Sequence, residues 1–229
     1  MTKKLGVVTI GQAPRTDVGP ILEKYIGDKA DIIQVGVLDG MTKEEIKAQL
    51  YPGENDYVLT SRMVTGEPVT MSREKIAPIM QQRINSLEDA GCKQILVLCT
   101  GVFPGLTTRK ALLIEPDQII TPTVAAIVKN RKLGVIVPLE EQRRSLLEKW
   151  RKYGVSPVFA VASPYQFSKD SFEKAAEVLK SENVDIILLD CMGYVEEFKR
   201  IVEESTGLPV ILSNALMALS MYRAASASA

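Results

Sequence analysis

The sequence contains no histidine. Ser-His-Asp and Cys-His catalysis are therefore excluded, because each needs an imidazole base, and a zinc site loses its commonest nitrogen ligand. Cysteine is scarce. There are three in 229 residues, in no metal-type spacing and with no Cys-x-x-Cys pair. That argues against a disulfide framework and disfavours a dithiol redox centre. Neither sign of charge prevails: 28 Lys and Arg balance 28 Asp and Glu, so the charge points to neither nucleic acid nor a membrane surface as a partner. Long apolar runs are missing as well. Only a six-residue, mostly apolar stretch follows "MTKK" before Gly11 and Pro14 interrupt. This is too short for a signal-peptide core or a bilayer span, and a cytoplasmic location is the default expectation. Gly11 belongs to neither a Walker A loop nor a dinucleotide fingerprint.

What the chain does contain is alternation. "KLGVVTIG" (Lys4–Gly11) reads as a strand, "PRTDVGPILEKYIG" as a helix with proline early, "DIIQVGV" as a strand and "TKEEIKAQL" as a helix. "DYVLTSRMVTGEPVTMS" (Asp56–Ser72) breaks the rhythm: two alternating arms flank "TGEP", the pattern of a β-hairpin. Ser72–Gly91 is a long helix with a serine cap, a terminal glycine and an awkward Pro78. "KQILVLC" and "ALLIEP" are strands, and "TPTVAAIVKN" is a helix. The pattern then restarts, "KLGVIVP" (Lys132–Pro138) echoing "KLGVVTI" (Lys4–Ile10). Helix, strand, helix, the strand ending at Cys191, helix, strand and a last helix follow, with a frayed tail "SASA". The expected architecture is α/β: two pseudo-symmetric, three-layer halves with parallel sheets, and a β-hairpin insertion in the first. The halves are residues 1–120 and 121–213.

Cys99 and Cys191 each end an apolar strand just before a small-residue turn, at the sheet edge where ligands of such folds bind. Halves facing each other across a pseudo-twofold axis would bring both thiols to one cleft. One thiolate could then remove a proton from a carbon while the other thiol returns one to the opposite face. Sulfurs serving one carbon would stand roughly 6–8 Å apart, beyond disulfide distance. A cysteine can also be simply a small buried hydrophobe. That is the reading for Cys92, which has no equivalent in the second half.

Taken in order, "TIGQAPRTDV" (Thr9–Val18), "TSRM" in the hairpin, "LCTGVFPG" and "LDCMGY" resemble the AroM family, within the aspartate/glutamate racemase superfamily. The resemblance covers nearly the whole chain. It implies the Asp/Glu racemase-like fold, with the last helix (214–229) packing back on the first half. It also implies cofactor-independent, metal-free chemistry on a small carboxylate, with Cys99 and Cys191 as the catalytic pair. Where the racemases usually carry Asn-Thr after the first cysteine and Thr-His after the second, this chain has Thr100-Gly101 and Met192-Gly193.

Around the thiols, Thr9, Gln12 and Arg15 are substrate-binding candidates on the loop after the first strand, with a helix N-terminus beneath them. Arg15 could hold a carboxylate bidentately. Arg62 would swing over the cleft on a hairpin lid. Thr100, Gly101, Met192, Gly193 and Tyr194 follow the cysteines directly. Ser163, with Tyr165, follows the middle strand of the second half. Asp190 points to the other face by strand alternation. Racemisation, cis-trans isomerisation and decarboxylation stay open, as does a binding or regulatory protein without turnover. A homodimer is compatible with the sequence.

Overall fold

The computed structural model describes residues 3–25, 27 and 30–226; the tail expected to fray falls outside them after Ser226. The chain divides into two compact units, residues 1–116 with 218–229, and residues 117–217.

In the first unit the elements run β1 (Lys3–Thr9), α1 (Gly19–Tyr25), β2 (Ala30–Gly36), α2 (Lys43–Leu50), β3 (Val58–Arg62), β4 (Pro68–Ser72), α3 (Arg73–Asp89), β5 (Gln94–Leu98) and β6 (Leu112–Ile114). The second holds α4 (Asp117–Val128), β7 (Leu133–Val137), a 3-10 turn at Glu140–Gln142, α5 (Arg143–Arg151), β8 (Val158–Val161), α6 (Lys169–Ser181), β9 (Ile186–Leu189), α7 (Glu196–Thr206) and β10 (Val210–Leu212), and α8 (Ser213–Ser226) starts there. Each unit carries a four-stranded parallel sheet, ordered β2-β1-β5-β6 in the first and β8-β7-β9-β10 in the second. These are one topology used twice: the first strand sits beside both the second and the third, and the fourth lies outside the third. The restart of the pattern at Lys132 is therefore a repeat of the fold. β3 and β4 form a separate antiparallel hairpin, Val58 opposite Ser72 and Arg62 opposite Pro68.

Helices cover both faces of a parallel sheet, so its inner strands are apolar without alternation. β7 (LGVIV) and β9 (IILL) are buried at every position. Local signals set the helix ends. Thr42 and Glu45 form a reciprocal capping box on α2. Ser72 accepts the Lys75 N–H at the start of α3, which runs on through Pro78. Gly207, at φ 72°, ends α7 in the left-handed conformation that favours glycine. The first core gathers Val8, Ile46, Ile76, Met80, Ile84 and Ile95. Each such side chain contributes about 1.5–3 kcal/mol by leaving water. The second is centred on Trp150, Phe172, Leu179 and Tyr194, with the Phe172 and Phe198 rings stacked at 4.7 Å.

Three features differ from expectation. α1 begins at Gly19 rather than beside Pro14, because residues 11–18 are held in an irregular path by side chains from elsewhere. The Asp39 carboxylate accepts the N–H groups of Ala13 and Gly36, and the Gln34 side-chain amide oxygen Oε1 accepts that of Arg15. α4 starts four residues before the expected Thr121, at Asp117, and contains Pro122. The hairpin, expected as a lid, is built into the first core through Leu59, Val69 and Met71. Swinging it would expose those side chains, so the packing opposes a swinging lid. No helix among the described residues is long and apolar enough to cross a membrane.

Candidate active site

In a parallel sheet of this order, the connections leaving the first and third strands run to opposite sides. A crevice opens between their carboxyl ends, the preferred ligand position in open α/β sheets. In the first unit this point lies between β1, which ends at Thr9, and β5, where Thr9 pairs with Leu98 and Cys99 follows. In the second it lies between β7 and β9, where Ile136 pairs with Leu189, two residues before Cys191. The two cysteines thus occupy equivalent switch points of two equivalent sheets.

Their local structures match as well. Each heads a Cys-x-Gly turn in which the glycine N–H donates back to the sulfur: Gly101 to Cys99 Sγ at 3.3 Å and Gly193 to Cys191 Sγ at 3.4 Å. Such donors favour a thiolate over a thiol. At both places a larger residue would have to push a neighbouring side chain aside. A Cβ on Gly101 would meet Leu59 Cδ2 of the hairpin at 2.9 Å, and one on Gly193 would meet the Tyr165 hydroxyl at 2.6 Å. Cys99 and Thr100 are buried, whereas Cys191 is partly exposed and has the Tyr165 hydroxyl 3.5 Å from its sulfur. None of the three cysteines is in a disulfide.

The other candidates of the second unit mostly build the loop. Ser163 Oγ accepts the Tyr165 N–H at 3.3 Å. Met192 is buried, and Asn214 clamps the turn by donating to the carbonyls of Met192 and Tyr194. The Tyr194 hydroxyl donates to the Ala162 carbonyl at 2.9 Å, and burial pushes its phenol well above the ordinary value. Tyr194 thereby ties the loop carrying Cys191 to the loop carrying Tyr165. Asp190 turns to Lys149, 3.2 Å away, and that buried ammonium also meets Asp117 at 3.4 Å.

In the first unit, Thr9, Arg15 and Arg62 come together, joined by Asp17 and Ser61. Thr9 Oγ1 accepts from Arg15 Nη1 at 3.2 Å and from the Gly11 N–H at 3.3 Å. Arg15, 2% exposed, grips Asp17 with two parallel bonds of 2.8 and 2.7 Å, and its Nη1 also lies 3.4 Å from Ser61 Oγ. Burial works against charge on Asp17, but the hydrogen bonds and charge of Arg15, aided by Arg62, hold its carboxyl below the usual range. Arg62 approaches Asp17 at 3.9 Å and is 27% exposed. The bidentate fork expected of Arg15 toward a ligand is thus closed on Asp17, and Arg62 is the more accessible of the two cations. Gln12 is engaged too. Its amide donates to the Leu38 and Met41 carbonyls and accepts the Val64 N–H, pinning the loop to the hairpin turn. The helix N-terminus expected beneath these residues is displaced to Gly19.

Sequence reasoning passed over Ser61, Asp39 and Asn214. Asp39 had a visible signal, an Asp-Gly turn; Ser61 and Asn214 had none. Cys92 is buried against Gly6 at the opposite end of the sheet, and burial raises its thiol pKa while Lys4 pulls weakly the other way. Among the described residues no group of three or more His, Cys, Asp or Glu could hold a metal ion.

A family model described as AroM protein matches residues 5–222. The chain belongs to the AroM family. No curated protein matches it in sequence. The fold of this AroM-family chain recurs in solved structures. Glutamate racemase isoform RacE1 from Bacillus anthracis matches at TM-score 0.66 and 14% identity, over 99% of this chain and 82% of that one. The maleate isomerase Iso from Pseudomonas putida S16 matches at 0.64 and 12%, over 98% and 94%. Allantoin racemase from Klebsiella pneumoniae matches at 0.63 and 16%, over 99% and 88%. The chain has the α/β fold of these racemases, and the hairpin β3–β4 sits in its first half.

Proposed function

We propose that the protein is a cofactor-independent isomerase or racemase of small carboxylates, with Cys99 and Cys191 as its acid/base pair. One observation carries the reading: the same Cys-x-Gly turn, its sulfur accepting the glycine N–H, follows the third strand of two sheets with the same strand order. A buried hydrophobe has no reason to recur with its donor at the switch point of each repeat. The fold is also that of racemases and an isomerase that differ in substrate.

In this mechanism one sulfur, as thiolate, takes the proton from the carbon next to the substrate carboxylate. The electron pair left behind is delocalised into that carboxylate. The other sulfur, as thiol, delivers its proton to the opposite face, and the two cysteines exchange protonation states. Arg62 supplies a charge-assisted contact to the carboxylate, and the Thr100 hydroxyl offers a polar contact beside the first thiol. Thr9, Gln12 and Arg15, with Asp17, hold the loop on which the carboxylate rests. Gly101, Gly193 and Met192 shape the turns, and Ser163 positions the neighbouring loop.

The test is proton exchange. The protein is incubated in heavy water with a panel of small carboxylic acids, including 2-amino and 2-hydroxy acids and cis-dicarboxylates, and deuterium at the carbon beside the carboxylate is followed by NMR. Incorporation that is lost in both Cys99→Ala and Cys191→Ala is the expected result. A ligand that raises the melting temperature without any exchange would instead make the protein a binding module.

A further inference from the structure

We propose that Tyr165 is a positioning residue for Cys191: its hydroxyl, together with the Gly193 N–H, donates to the sulfur and holds it as the thiolate that accepts the first proton. The assignment rests on the reading of Cys191 as an acid/base group. The Tyr165 oxygen is 3.5 Å and the Gly193 nitrogen 3.4 Å from Cys191 Sγ. The arrangement is built rather than incidental. The Tyr165 ring lies over Gly193 so closely that a Cβ there would fall 2.6–2.8 Å from the phenol oxygen, Cε1 and Cζ. Tyr165 is fixed at its backbone by Ser163 Oγ, and its loop is joined to the cysteine loop by the Tyr194 hydroxyl on the Ala162 carbonyl. Asn214 anchors the other side of the cysteine loop.

Asp190 precedes Cys191, and its negative charge opposes a thiolate. It is balanced by Lys149, itself shared with Asp117. Tyr194, buried, is held neutral by burial above all. A chain without histidine has no imidazolium to pair with the sulfur. Hydrogen bonds to the charged form are another way to favour it.

The test needs no substrate. Rates of iodoacetamide alkylation at Cys191 are measured on the full-length protein from pH 5 to 10 by site-resolved mass spectrometry, in the native protein and in Tyr165→Phe. Native Cys191 is expected to titrate below the ordinary cysteine value of about 8.5. In Tyr165→Phe the midpoint should rise by about one unit and the rate at pH 7 fall roughly five- to tenfold, with an unchanged circular-dichroism melt. If Tyr165→Phe does not fold, Gly193→Ala decides, since its methyl displaces the phenol and should move the midpoint the same way. A native midpoint at or above 8.5, or a profile unaltered by the substitution, would overturn the assignment. A depressed and tyrosine-dependent midpoint without deuterium exchange on any acid would leave the assignment standing and sink the enzymatic reading instead.

Discussion

Arg15 and Arg62 divide one cationic corner between them. Arg15 is closed on Asp17 inside the first unit, while Arg62 remains partly exposed. On the proposed function, truncating Arg62 would remove a ligand contact and little stability. Arg62→Ala should raise the KM or Kd for the carboxylate about tenfold with its melting temperature nearly unchanged; an equal affinity for parent and variant would exclude that contact. Asp17→Asn does the opposite, leaving the buried Arg15 guanidinium without its counter-charge. It should cost roughly 3 kcal/mol in urea unfolding. Because the folded Asp17 carboxyl sits below its ordinary value of 3.8, its contribution is complete above that pH and disappears as pH falls through the lowered value. Glu88 follows the same sign. It accepts the N–H groups of Arg109, Lys110 and Ala111, which bring it down from 4.5 to about 2. The difference in melting temperature between the parent and Glu88→Gln should be full at pH 5 and shrink steadily toward pH 2. A constant difference would show that the carboxylate charge is not what those three amides hold.

Among the elements, the hairpin β3–β4 is the one most dependent on its surroundings. Its alternating arms and "TGEP" turn are legible in the sequence, and so is its span. Its role was not legible, because an exposed lid and a buried wall can share one alternating pattern. Leu59, Val69 and Met71 decide the matter by entering the first core, and Ser61 and the Arg62 carbonyl approach the loop after β1. Gly11 is the point of closest approach. A Cβ there would lie 2.6 Å from the Arg62 carbonyl oxygen and would press on Ser61 Oγ. Gly11→Ala should accordingly cost about 1–3 kcal/mol through forced displacement of the hairpin. A melting temperature equal to that of the parent would mean that the hairpin moves freely. The late start of α1 has a similar origin. Helix propensity favours a start near Pro14, but the part-buried amides of Ala13 and Arg15 are satisfied by Asp39 and Gln34 side chains, and tertiary hydrogen bonding overrides the local preference.

For the molecule as a whole, the repeated topology makes Cys99 and Cys191 counterparts of each other and leaves Cys92 without one. Cys92→Ser should keep deuterium exchange within about twofold of the parent. Cys99→Ala and Cys191→Ala should each reduce two-sided exchange by at least about a hundredfold, the usual scale of one general acid or base. Full exchange in either alanine variant would argue for a one-base reaction.

The sequence by itself determined the α/β alternation, the two-fold repeat, the hairpin and the placing of Cys99 and Cys191 at strand ends. These follow from periodicity and from glycine, proline and capping residues, which act over a few neighbours. Only the tertiary structure decided which polar groups remain to meet a ligand. Arg15 meets Ser61 across 46 positions of the chain, and Tyr165 meets Cys191 across 26. Pairings at such separations depend on how strands and loops are brought side by side, and local patterning does not encode them. The same reason hid the engagement of Gln12 and the inward turn of Tyr194: a polar side chain in a loop looks alike in sequence whether it faces solvent or a buried carbonyl. Strand order joined the two levels, because it placed both thiols at equivalent switch points, where a repeated local motif becomes a candidate catalytic pair.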